Sequence, residues 1–199
     1  MLVACLMVPA GLSAQGVSKA EKVIYELSGS GFLDTYRDYR RQTETDVALF
    51  KARMSEHSAE DWVRLKASYE ETAGAFDRFL VDIRNDLLDA QKRREMSKDM
   101  DAYAREQLTQ LDKVYLEYYQ GRFYPLYARI NHIDMPEVAS HRASSSGPVW
   151  AVLITPITLA TTKIVDFVDD RKDKKLDDFK AALEKEWIQP NRFRRWDEI

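Results

Sequence analysis

The sequence predicts an all-α protein, an elongated antiparallel helical bundle, and three observations carry that prediction. Glycine and proline are scarce, 7 and 6 among 199 residues, and they fall where they punctuate helices. Apolar residues recur at steps of three and four over long stretches, the period of one helix face. Good N-cap residues stand ahead of the two clearest periodic runs.

Taken in order, Val17 to Leu27 places Ala20, Val23, Ile24 and Leu27 on one face, and Ser28-Gly29-Ser30-Gly31 ends that helix. A second helix is expected from about Phe32 to Met54, with Phe32, Tyr36, Tyr39, Val47, Phe50 and Met54 inward. Its middle, Arg40 to Asp46, is wholly polar and is expected to pack poorly or to project beyond its neighbours. The third helix is the clearest. Ser58 is its N-cap, with Asp61 placed to reach back. Trp62, Leu65, Tyr69, Ala73, Phe76, Leu80, Ile83, Leu87 and Ala90 then follow at coiled-coil spacing. Ser97 is read as the cap of the next helix, which faces inward through Met100, Ala104, Leu108, Leu111, Tyr115 and Tyr118. The short connection makes 59–94 and 98–124 a long helical hairpin. Pro125 is expected to kink or end it by freeing the carbonyl of Gly121.

Residues 131–147 read as the longest loop. Ala143 to Thr162 is a run of 20 residues without a charge. Pro148, Pro156 and four threonines leave an apolar portion of about 15 residues, short of the ~20 that span a bilayer. This segment is therefore expected to be core, not a transmembrane helix. A last helix, Lys174 to Trp187, faces inward through Leu176, Phe179, Leu183 and Trp187 and is stopped by Pro190, leaving a tail from Asn191 to Ile199.

Residues 1–14, MLVACLMVPAGLSA, are uncharged and end in small residues. That pattern predicts a secretory signal peptide cut near Ala14, and so a protein of the periplasm or the extracellular space. The absent basic n-region makes Met1 read as an internal start. Leu2-Val3-Ala4-Cys5 also has the form of a lipoprotein box, which makes anchoring at Cys5 the alternative. Cleavage leaves about 185 residues, enough for a single domain, 15–199, with its own core. Cys5 is the sole cysteine, so the mature chain is left without a thiolate ligand or disulfide. A net charge of −3 gives no basic field for nucleic acid.

No catalytic residues are predicted. The G-x-S-x-G elbow, the H-E-x-x-H helix and the phosphate-cradling glycine loop are all missing, as are the E-x-x-H pairs of di-iron bundles. No cofactor is expected. His57, at a helix junction, reads as a solvated loop residue. One grouping, His132, Asp134, Glu137 and His141, has the donor types of a tetrahedral zinc site, although a polar loop supplies such residues without a metal. The densest aromatic run is Tyr115, Tyr118, Tyr119, Phe123, Tyr124 and Tyr127, with Gly121 expected to admit another backbone. These residues with Trp150 are the candidate ligand-binding set, since tyrosine offers an apolar body and a polar tip. The competing reading is a core layer at a helix crossing. The tail Arg192-Phe193-Arg194-Arg195-Trp196 interleaves bases with aromatics and is a candidate for peripheral membrane contact.

These readings predict an exported, non-enzymatic cell-envelope protein that binds another macromolecule, with a protein partner expected. The alternative is a small-ligand bundle built on the tyrosines and the 149–162 segment.

Overall fold

The structure, a computed structural model, describes residues 19–96, 99–134 and 170–199. The signal segment, Cys5, Ser97, Glu137, His141, Trp150 and the charge-free 143–162 run lie outside the described residues. The described residues are mostly helical, and there is no strand among them. Among them no helix is long and apolar enough to cross a membrane.

Helix α1, Lys19–Gly29, buries Ala20, Val23 and Leu27. Its exit needs glycine, because Gly31 sits at φ 81°, where a side chain is strained. Helix α2 is Phe32–Ala52 and α3 is Ala59–Arg93. At the start of α3 the Asp61 N–H donates to Ser58 Oγ at 3.1 Å while the Ser58 N–H donates to Asp61 Oδ2 at 3.4 Å. This closes the expected capping box. Hydrogen bonds from Ser58 hold the Asp61 carboxyl below the usual range.

Helix α4 is Met100–Val114. Its cap is Asp99, not the expected Ser97, for Asp99 Oδ1 accepts the Ala102 N–H at 2.9 Å. The chain then widens into a π-helical segment, Tyr115–Phe123, and runs on as α5, Tyr124–Ile130. Pro125 thus does not end the helix. Just ahead of it the Tyr124 N–H reaches back five residues to the Tyr119 carbonyl, a wider turn than the α-helix makes. The same device recurs in the last helix. Helix α6, Asp170–Leu183, widens over Glu184–Ile188 and closes with α7, Gln189–Asn191. There the Gln189 N–H reaches Glu184, just before Pro190.

Cross-helix pairs fix the directions. Tyr69 meets Phe123 at 6.3 Å, the Thr72 hydroxyl approaches the Tyr118 carbonyl at 3.4 Å, and Asp86 bears on Tyr103. One index rises as the other falls, so α3 and the 100–130 helix run antiparallel. Tyr39 with Tyr115 and Asp46 with Tyr119 rise together, so α2 and the 100–130 helix run parallel. The inward seam of α3 holds, with Leu65, Tyr69, Phe76, Leu80, Ile83 and Leu87 all buried.

Two expectations for α2 are corrected. Met54 lies in a short 3-10 turn, Met54–Glu56, and is 50% exposed. The polar middle neither packs poorly nor projects, because Thr43, Glu44 and Asp46 are buried. Each has a partner, as buried polar groups require. Thr43 donates to the Tyr39 carbonyl, Glu44 Oε2 accepts from Arg194 Nε at 2.9 Å, and Asp46 accepts from Tyr119.

The tail is likewise not a free end. Phe193 and Trp196 are 4% and 3% exposed. Phe193 packs on Tyr36, Tyr69 and Phe76, and Trp196 packs on Phe50, Trp62 and Tyr69. Side chains of the helices grip its backbone. The Tyr69 hydroxyl donates to the Arg194 carbonyl, Lys51 Nζ to the Trp196 carbonyl, and the Phe193 N–H donates to Asp77. The membrane reading of Arg192, Phe193, Arg194, Arg195 and Trp196 therefore loses its apolar half to the core.

Candidate functional site

A convergence of polar and aromatic groups lies where α2 meets the widened helix. Tyr119, Phe123 and Tyr127 are buried, and Tyr115, Tyr118 and Tyr124 are partly so. Tyr115 stacks on Tyr119 with ring centroids 4.8 Å apart, and Tyr119 touches both Phe123 at 5.9 Å and Tyr124 at 5.7 Å. Tyr127 follows at 6.2 Å from Phe123 and 6.1 Å from Tyr124. The π-turn explains why one ring meets neighbours four and five residues on, since its wider turn brings both to the same side. Gly121 serves that turn. A methyl group there would stand 3.1 Å from the Leu116 carbonyl oxygen of the same helix, so the close backbone is the helix's own and not another element's.

Two residues outside the candidate ligand-binding set complete the site, Tyr39, which the sequence placed only on the inward face of its helix, and Asp46. Tyr39 of α2 stacks face to face on Tyr115 at 3.7 Å and donates its hydroxyl to Asp112 Oδ1 at 2.7 Å. Asp46 receives the Tyr119 hydroxyl at 2.6 Å and the Gln42 amide at 3.3 Å. Burial raises the Asp46 carboxyl above its usual range, opposed by the hydrogen bonds from Tyr119 and Gln42. Burial, then the bond to Asp46, holds the Tyr119 phenol well above its ordinary value. Tyr118 stands apart from the stack, with the Arg122 guanidinium 4.7 Å over its ring.

Of the metal-type grouping, His132 and Asp134 are described, and His132 sits just past α5 at φ 53°. Glu137 and His141 lie outside the described residues, as does Trp150 of the aromatic set. Among the described residues no three histidine, cysteine, aspartate or glutamate side chains converge as a metal site. His57 is not simply solvated, for its ring stacks on Phe50 at 4.6 Å.

Two open grooves meet at Lys19. One, about 520 Å³, has Val23, Met96 and Met100 as its apolar part and Lys19, Lys22, Glu26, Asp99 and Asp101 around them. The other, about 310 Å³, lies between α1, the end of α3 and α6, lined by Ala20, Phe179 and Ala182 with Lys175, Asp178 and Gln91. Comparison of the chain with protein families, with characterised proteins and with solved structures gives no match.

Proposed function

We propose that this chain is an exported, non-enzymatic helical protein of the cell envelope that binds another macromolecule through its helical surface. One observation supports it most: the groove between α1 and the start of α4 carries Lys19, Lys22, Glu26, Asp99 and Asp101 around the partly buried Met96, with Val23 and Met100 buried at its floor. Charges of both signs around a small apolar centre are what the polar rim of a protein-binding surface carries. Export rests on the uncharged, small-residue-ended segment 1–14. The small-ligand alternative has less behind it, because Tyr119, Phe123 and Tyr127 pack their ring faces on one another.

The test uses protein expressed from its native locus, with a photo-crosslinking residue at Lys22 or Glu26 and, for comparison, at Glu70 on the exposed side of α3. A discrete adduct from the first two positions and not the third supports the reading. N-terminal sequencing should find a chain beginning near Gln15, or one lipidated at Cys5. A full-length chain in the cytoplasm would overturn export, and the absence of any adduct at Lys22 and Glu26 would overturn the binding surface.

A further inference from the structure

The tyrosine stack carries more chemistry than a packing layer needs. Tyr39, Tyr115, Tyr119, Tyr124 and Tyr127 follow one another in unbroken ring contact, at centroid separations of 3.7, 4.8, 5.7 and 6.1 Å. Two of the phenols already point their protons at carboxylates, Tyr39 at Asp112 near the surface and Tyr119 at Asp46 in the interior. A phenol gives up an electron most easily when its proton leaves at the same moment to a hydrogen-bonded base, and ring contact lets the electron vacancy pass from one phenol to the next.

We propose that this stack is a tyrosyl-radical relay that takes a one-electron vacancy in at Tyr39 and holds it at Tyr119. The oxidant is a one-electron acceptor such as a peroxyl radical, which gains one electron. The Tyr39 O–H bond breaks and its proton forms an O–H bond on Asp112. An electron then moves from Tyr119 through Tyr115 to the Tyr39 phenoxyl, which recovers its proton from Asp112. The Tyr119 proton passes to Asp46. The net change is one electron lost from Tyr119 and one proton moved across a 2.6 Å hydrogen bond.

Electrostatics sets the inward direction. Before oxidation the Tyr119–Asp46 pair carries one negative charge in a buried place, and its hydrogen-bond partners are a phenol and an amide. Afterwards the pair is neutral, and burial favours the neutral form. The Tyr39–Asp112 pair is exposed, so water stabilises its charge and the same gain is absent there. Tyr118 is off the route, because a cation over its ring opposes removal of an electron.

The test is flash photo-oxidation of the whole chain with a ruthenium tris-bipyridine sensitiser and persulfate, read by phenoxyl absorbance and electron paramagnetic resonance. The wild type should give a long-lived tyrosyl radical, formed more slowly in D2O. Asp46→Asn and Tyr119→Phe should each shorten its lifetime about tenfold, the effect of ~1.4 kcal/mol. Tyr25→Phe and Tyr118→Phe should leave it unchanged. Tyr39→Phe alters an exposed hydrogen bond, which keeps folding out of question, and should lower the yield. Equal lifetimes and yields in all variants, or a radical confined to tryptophan, would overturn the relay.

Discussion

Replacing Phe193 by alanine tests whether the last residues of the chain belong to the core. Its ring is 4% exposed and lies 5.1 Å from Phe76 and 6.3 Å from both Tyr36 and Tyr69, centroid to centroid. A phenylalanine in such a place buries ~150–250 Å², of which the alanine methyl retains a minor part. At ~25 cal/mol per Å² this comes to about 3–5 kcal/mol, the usual range for phenylalanine-to-alanine changes in cores. Natural domains have only ~5–15 kcal/mol in hand, so Phe193→Ala should move the urea midpoint far down with little change in slope. Asp197→Ala, at an exposed position four residues on, should stay within about 0.5 kcal/mol. A Phe193→Ala loss under ~1 kcal/mol, or one equal to that of Asp197→Ala, would mean that the tail rests on the helices without completing them.

Leu80 and Leu111 are 1% and 0% exposed, so alanine at either should cost ~2–5 kcal/mol in urea melts. Lys92→Ala should stay within ~0.5 kcal/mol. Asp99→Ala should lower stability by ~1 kcal/mol through loss of the α4 cap, read in the thermal melt. Burial raises the folded-state carboxyls of Asp46 and Asp77, so the folded chain keeps these protons to higher pH. Their contribution to stability therefore falls as pH rises from the unfolded-chain value near ~4 through the folded values. Asp46→Asn should make the decline between about pH 4 and pH 7 shallower, as urea melts at the two pH values would show. Burial also raises the phenols of Tyr36, Tyr39, Tyr69, Tyr103, Tyr115, Tyr119 and Tyr127. The unfolded chain sheds those protons from about pH 10, so stability should drop as pH rises through that value. Phenolate absorbance should then appear together with the loss of helical circular dichroism.

The parts of this fold that are legible in the sequence are those whose cause is local. Helix α3 announces itself because its apolar spacing and its Ser58 cap lie within the helix. The middle of α2 does not, because what makes Glu44 and Asp46 buriable stands 150 and 73 residues away, in Arg194 and Tyr119. One signal was present: Asp46 falls in helical phase with Phe50, on the side of α2 that the apolar residues occupy. The tail misleads for the same reason, since a five-residue window of arginines and aromatics does not show the helices that receive it. Pro125 misleads because the sequence rule against proline presumes a four-residue turn, and a five-residue turn opens just ahead of it. At the site, the aromatic run on one helix was readable. Tyr39 was readable as inward, but its pairing with Tyr115 and the roles of the two carboxylates were not, since they belong to packing between helices.

The π-turns before Pro125 and Pro190 make the length of the chain, and not only its composition, part of the design. Each wide turn amounts to one surplus residue threaded into an otherwise α-helical rod. Deleting a single residue from it, Gln120 for example, would let the segment relax to α-helix. Everything beyond would keep its facing, because the wide turn is what absorbs the surplus residue. Pro125 would lose the wide turn that precedes it and would meet a four-residue turn, where its ring clashes with a backbone carbonyl. Homologues that keep Pro125 should therefore accept substitutions along 115–123 far more readily than a change of one in its length. An alignment gap inside that window should come with loss of the proline.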